Sequence, residues 1–571
     1  MTTPKTMGSF KFSRARAIRA TLLALLVALG ACSRRSGQKP ADGADSASSA
    51  AALEPPPPSK AAPSPRYAAV PATSADDVLT YHNNAARTGL DPNETLLTPA
   101  GVNSSSFGKL FSDSVDGFVY AQPLYVAGVA IPGKGRRNVV YVATENNTIY
   151  AFDADSAGVP LWQAHLGTPV PSSAFACGQI VPRVGITATP VIDLPSGTLY
   201  VEAMVQRPAP HGPSYAQQLH ALDLATGAEK LGGPATLAGS VPGKGAGSKG
   251  GRVAFNAFLH LDRPGLALSN GVIYMAFGSH CDLDNYHGWV LAYGAAHLRF
   301  RAAFNVTPNG SQGAIWQTGD APAVDSAGHV YVLTGNGTFD AGAGGLDYGD
   351  SFLKLGLAGN ALRPLDFFTP HNQQALNDED LDVGSGGPIL LPPLAGSSRR
   401  LVVGAGKEGV LYVVDRNHMG GFRRGSDSQI VGEIRNAMAP VFSTPADWNG
   451  RLYVGSVSKP IEAFAVTGAG LSPAPVSQSP NSFDYPGATP SVSSNGAKDG
   501  IVWALDTSGY VAGGSAVLHA YDAANLARQL YASPAHGAGG PGVKFTTPTI
   551  AHGRVYFGTQ NSLEVYGLRK P

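Results

Sequence analysis

The sequence predicts an all-β fold, a β-propeller of eight blades, on three observations. A three-part unit recurs eight times, its last part alternates strictly between two faces, and the two ends of the repeat region each supply what the other lacks. The first part of the unit is a proline leading an apolar strand. It occurs at Pro123 (QPLYV), Pro190 (ATPVI), Pro264 (RPGLAL), Pro322 (APAV), Pro388 (GPILL), Pro440 (APVF), Pro490 (ATPSV) and Pro548 (TTPTI). These prolines are spaced by about 61 residues, longer than the ~40–50 of common blade repeats. The second part is a short apolar-aromatic strand: Val140-Tyr141, Leu199-Tyr200, Ile273-Tyr274, Val330-Tyr331, Leu401-Val402, Leu452-Tyr453, Val502-Trp503 and Val555-Tyr556.

The third part reads TIYAFDAD, QLHALD, WVLAY, FLKL, VLYVVD, IEAFAV, VLHAYD and LEVYGL. Period-two alternation marks a strand with two different faces. One unit cannot bury both, whereas radial stacking of units does and leaves only short edges. The last unit stops at Gly567-Leu568, directly after its third strand. Residues 105–115, SSFGKLFSDSV, read as an outer strand with no partner nearby. Pairing the two closes the ring and removes an exposed edge, so an N-terminal strand is expected to complete the last blade.

Composition agrees. Glycine (71) and proline (44) are abundant and charged residues make up only 14%, against about 25% in a typical soluble protein. That balance suits many short strands and tight turns and excludes a coiled coil or helical bundle. The formal net charge is +1, so no nucleic-acid surface is expected.

Three segments organise the chain. Residues 1–31 carry basic residues and no acid, then an apolar run from Ala20 to Gly30 that is too short to span a bilayer. The run ends in Leu29-Gly30-Ala31-Cys32, which resembles a bacterial lipobox. The resemblance implies cleavage before Cys32, lipidation of its thiol, and anchoring in the cell envelope without a spanning helix. Ser33 follows Cys32 where an inner-membrane retention signal has Asp, which points to the outer membrane, facing the periplasm. Residues 32–75, rich in Ala, Ser and Pro, read as a disordered tether. Residues 76–571 form the propeller.

Four stretches resemble the pyrroloquinoline-quinone (PQQ) dehydrogenases, the eight-bladed quinoprotein family. They are YHNNAARTGLDPNETLLTPAGVNSSSFGKLF (81–111), GAIWQTGDAPAVDSAGHVYVLTGNG (313–337), DEDLDVGSGGPILL (378–391) and GAGKEGVLYVVDRNHMG (404–420), in the family's order. The resemblance implies roles for particular residues. Trp316 matches the tryptophan on which the flat cofactor stacks, Asn336 the asparagine that coordinates Ca2+, Asp382 the catalytic base and Lys407 the basic residue at the quinone. Arg183 matches a cofactor-carboxylate arginine with a one-residue shift. The family's metal-binding Glu falls within SHCDLDNYHGW (279–289), where Asp282 or Asp284 would have to serve.

These residue types suit one another. A planar quinone needs a flat aromatic partner and an apolar pocket. Ca2+ takes about 6–8 oxygen ligands, some of which the cofactor can supply. The family's adjacent-cysteine disulfide is missing: one Cys stands in FACGQIVPRVGIT (175–187) and another, Cys281, beside the expected metal loop. With Cys32 lipidated, a secreted chain is expected to pair Cys177 with Cys281. No C-x-x-C-H motif occurs, so no covalent haem is expected and electrons would pass to a separate acceptor. His280 and His287 read as solvated loop residues.

The resemblance implies an envelope lipoprotein that is a PQQ- and Ca2+-dependent oxidoreductase acting on alcohols, sugars or aldehydes. The alternative is a non-catalytic scaffold for envelope protein partners at the outer membrane, a use to which eight-bladed lipoproteins are also put.

Overall fold

A computed structural model describes residues 76–569 apart from 283–284, 395, 437 and 535–538. The expected signal sequence, Cys32, the expected tether and Asp284 lie outside the described residues. Eight four- to five-stranded sheets follow one another around a central shaft. Blade 1 comprises Leu124–Ile131, Gly135–Ala143, Thr148–Asp153 and Trp162–His165, each antiparallel to the next. Blades 2 to 7 occupy 191–236, 267–305, 323–369, 389–434, 446–483 and 491–532. Blade 8 takes three strands from 549–568, and its outer strand is Phe107–Ser114, paired antiparallel to Ser562–Leu568. The ring therefore closes as the two chain ends imply. Among the described residues the only α-helix is Gln373–Asp378, and no helix is long and apolar enough to cross a membrane.

The recurring tyrosines of the second strands tie blades together. The hydroxyl of Tyr141 in blade 1 donates to Leu224 O in blade 2, Tyr200 to Ala295 O in blade 3, and Tyr453 in blade 6 to Ala523 O in blade 7. Tyr556 in blade 8 donates to Ala154 O in blade 1, repeating the tie across the closure. Each ring fills space between sheets while its polar tip finds a backbone acceptor, which buried tyrosine requires. One repeat is displaced from its expected place. In blade 6 the inner strand is Ala446–Trp448, led by Pro445, not by Pro440. Pro440 belongs to the preceding connection, which delivers Phe442 to the shaft.

The innermost strand of each blade has an edge with no sheet partner. Residues 78–91 fill this need by running across one end of the shaft. Val78 bridges Tyr125 in blade 1, and the carbonyls of Leu79, Ala85, Ala86, Thr88 and Gly89 accept from Ile192, Val324, Leu390, Asp447 and Val492, in blades 2, 4, 5, 6 and 7. Leu90–Asp91 then pairs parallel with the inner strand of blade 7. Arg87, 1% exposed, donates to Pro322 O, Thr80 Oγ1, Tyr81 O and Asn84 O. This segment is the YHNNAARTGLD motif, and its local role is to plug the shaft.

Candidate functional site

Before each inner strand reaches the plug, the connection leading into it passes the shaft wall. These connections enclose a cavity of about 300 Å3, lined among others by Gln179, Arg263, Asp282, Trp316, Asp382, Lys407, Phe442, Tyr485, Lys544 and Phe545. Such a volume sits at the lower end of the range for small-molecule pockets. Four residues that the sequence places far apart, Asp282, Trp316, Asp382 and Lys407, meet here.

Trp316 ends the connection between blades 3 and 4. The two residues after it, Gln317 and Thr318, have left-handed backbones (φ 43° and 48°), a conformation that costs about 1–3 kcal/mol when held at non-glycine residues and is common where side chains must be aimed. Gly335 lets the site close up. A Cβ there would lie 2.2 Å from Asp382 Oδ1 and 3.2 Å from the Trp316 ring. This is the physical reason for glycine in the Thr-Gly-Asn motif.

Asp382 is 5% exposed and doubly held. Its Oδ1 accepts from the Asn336 backbone N–H (2.8 Å) and its Oδ2 pairs with Lys407 Nζ (2.6 Å). Burial raises the Asp382 pKa above the usual carboxylate range, with Lys407 and the Asn336 N–H opposing. Burial works against the charge of Lys407, but Asp382 and Asp380 outweigh it and hold its pKa up at about 12. Asp380 Oδ1 joins Lys407 Nζ (2.9 Å) to Asn336 Nδ2 (2.8 Å). That bond orients the Asn336 amide so that its Oδ1 is buried without a hydrogen-bond partner. Asp282 accepts from Ser279 Oγ (2.9 Å) and the Tyr286 hydroxyl, and burial raises its pKa.

The donor set is oxygen-rich but incomplete. Among the described residues no three His, Cys, Asp or Glu side chains converge as metal ligands. The unsatisfied Asn336 amide oxygen and the buried Asp282 and Asp382 carboxylates are donors of the kind a hard cation takes, with further oxygens from a bound ligand.

Cys177 and Cys281 are joined by a disulfide, with Cα atoms 5.6 Å apart. The bridge ties the hairpin of Val170–Pro171 and Arg183–Val184 to the loop that carries Asp282 at the cavity. Arg183 is a correction to the sequence reading. In the hairpin Val170 and Val184 pair and are buried, and strand alternation turns Arg183 outward, where it is exposed and does not line the cavity. The histidines are a second correction. His280 is 8% exposed and stacks on Phe175 (3.9 Å), and His287 is 1% exposed, its ring nitrogens bonded to Thr307 Oγ1 and Ala246 O. Both pack the walls of the loop.

Sequence reasoning missed Arg263, Lys544 and the aromatic wall of Phe442, Tyr485 and Phe545, whose rings lie 5.5–6.4 Å apart. The signal available was position: each falls in a connection just before a proline-led inner strand.

No protein-family model matches the sequence, and no curated protein does. Solved structures do. The quinohemoprotein alcohol dehydrogenase ADHIIG from Pseudomonas putida HK5 matches with a TM-score of 0.56 at 14% identity, over 87% of this chain and 82% of that one. The quinohemoprotein alcohol dehydrogenase from Comamonas testosteroni matches at 0.54 and 16% identity over the same shares. A europium-containing methanol dehydrogenase matches at 0.54 and 14% identity, over 87% of this chain and 98% of that one. At such identities the likeness establishes the fold: the chain shares its eight-bladed propeller with quinoprotein alcohol and methanol dehydrogenases.

Proposed function

We propose that this propeller is a PQQ- and Ca2+-dependent oxidoreductase acting on an alcohol, sugar or aldehyde, carried on the cell envelope by a lipid at Cys32. The observation that carries the proposal is the axial cavity that brings Trp316, Asp282, Asp382 and Lys407 together; Asn336 does not line it, but its backbone N–H holds Asp382 and its Oδ1 is buried without a partner.

In this reading Trp316 would take the flat face of the cofactor, and Asn336 Oδ1 with the Asp282 carboxylate would give the protein's oxygens to Ca2+. When bound, the pair supplies a two-electron acceptor polarised by a Lewis acid. The chain's own residues do the rest. Asp382 accepts the proton of the substrate hydroxyl, and its raised pKa brings it nearer the operating range of a general base. Lys407 keeps its proton, fixes the Asp382 carboxylate and presents positive charge where negative charge develops. Phe442, Tyr485 and Phe545 give the cavity an aromatic wall against which an apolar part of the substrate packs. Electrons would leave to a separate acceptor.

The test is reconstitution of the purified protein with PQQ and Ca2+, read by cofactor absorbance and by dye reduction over a panel of alcohols and sugars. Stoichiometric uptake that fails in Asn336→Ala and Trp316→Ala is expected. Absence of uptake at micromolar cofactor would overturn the proposal.

A further inference from the structure

Arg263 is 4% exposed and lines the cavity, yet its Nη1 and Nη2 are buried with no hydrogen-bond partner. Its guanidinium lies 4.8 Å from the centre of the Phe545 ring and 5.8 Å from that of Tyr120. Aromatic faces steady a cation and fix its plane, but they leave the N–H fork unused. Lys544 lines the same end of the cavity, its Nζ 5.4 Å from the Phe545 ring and 6.0 Å from the Tyr510 ring. Burial and the charge of Arg263 push the Lys544 pKa down to about 8.

Among the described residues no carboxylate forms an ion pair with either cation. Glu145, the acid that acts on Arg263, has its oxygens taken by the Gly185 N–H (2.6 Å) and Thr187 Oγ1 (2.8 Å), and burial lifts its pKa to about 7. Of the cavity's other acid–base groups, Asp382 and Lys407 pair with each other and Asp282 accepts from Ser279 Oγ and the Tyr286 hydroxyl. A buried guanidinium with no directly paired anion, beside a half-buried ammonium, is costly unless a ligand brings the anion.

We propose that Arg263 and Lys544 form a carboxylate-binding site in the axial cavity, Arg263 offering both free Nη groups to the two carboxylate oxygens and Lys544 adding a third contact. A planar fork matches a carboxylate bidentately. The carboxylate has two sources, PQQ itself or a substrate that is a hydroxy acid and not a plain alcohol. The site stands on its own geometry, whichever source fills it and whether or not the quinone reading holds.

Calorimetric titration of the purified protein, free of PQQ and Ca2+, separates these cases. Lactate and glycerate form one arm, their uncharged alcohol counterparts the control, and PQQ the other arm. Binding of at least one carboxylate probe is expected, with no binding of the uncharged control. Affinity is expected to fall about ten- to a hundredfold in Arg263→Met, the worth of a charge-assisted hydrogen bond pair, and less in Lys544→Met. Between pH 7 and 9 wild-type affinity is expected to weaken as Lys544 loses its proton, and Lys544→Arg to remove that dependence. Of the groups facing Lys544, Arg263 is a guanidinium, which proteins do not deprotonate, and the Tyr510 and Tyr485 hydroxyls, raised by burial, stay neutral over this range. Loss confined to the hydroxy acids assigns the site to substrate, and loss confined to PQQ assigns it to the cofactor. Binding of neither probe, or binding unchanged in folded Arg263→Met and Lys544→Met, would overturn the site.

Discussion

Two arginines are buried in the shaft of this propeller, one in the plug and one in the cavity, and they are used in opposite ways. Arg87 spends its guanidinium on four acceptors within the plug and blade 4. Arg263 leaves both Nη atoms unpaired. Side chains that satisfy one another hold a fold, whereas polar groups buried without partners wait for something from outside. The same contrast separates Asn84, whose amide closes a turn onto Thr88, from Asn336, whose Oδ1 is left open.

The contrast can be broken most directly at Arg87. Arg87→Met strands several buried acceptors and is expected to cost about 3–5 kcal/mol in chemical denaturation. Arg263→Met, measured in the same way, removes an unpaired buried charge and is expected to be neutral or stabilising by about 1–2 kcal/mol. Equal losses at the two sites would erase the distinction.

Next in size is the disulfide. Cys177→Ser with Cys281→Ser opens a loop with a sequence separation of 104 and is expected to cost about 2–4 kcal/mol. Hydrogen exchange should quicken in 170–184 and stay unchanged in 78–91, because the bridge ties the cavity mouth and not the plug.

A separate, pH-dependent effect comes from Glu202 and Asp262, both buried and close to each other. Burial raises both pKa values, and in Glu202 the nearby Asp262 adds to the rise. The folded state therefore keeps protons that the unfolded chain releases above about pH 4. Stability from this pair is present below that pH and is lost as pH rises toward the raised folded values, at up to about 1.4 kcal/mol per unit per group. Glu202→Gln with Asp262→Asn should flatten thermal stability between pH 5 and 8, gaining on the wild type as pH rises. The smallest change in stability is expected at Asn336→Ala, within about 1 kcal/mol, even though cofactor uptake is lost.

Much of the fold was legible because its determinants are local and repeated. Proline-led strands, a tyrosine in the second strand and strict alternation in the third follow from what one blade needs to pack on the next. The closing strand 107–114 was legible for the same reason, as an unpaired edge at each end of the repeat. Pro440 misled because Pro445 lies five residues on, and only the strand pairing decides which one leads the blade. The cavity was legible as far as motif order carries: Asp282, Trp316, Asp382 and Lys407 do converge. Arg183 did not, since a one-residue step in a hairpin reverses the side on which a residue points. Arg263 and Lys544 carry no local pattern at all. Their meaning arises only when connections more than two hundred residues apart meet in the shaft, and the plugging role of 78–91 is equally non-local.

A crystal structure of the protein grown with PQQ and Ca2+ tests the central claim most directly. The expected result is a planar ligand against Trp316 inside the shaft, with a cation on Asn336 Oδ1 and a ligand carboxylate on Arg263. A shaft that stays empty under saturating cofactor, with Asn336 Oδ1 and the Arg263 fork still unpaired, would contradict it.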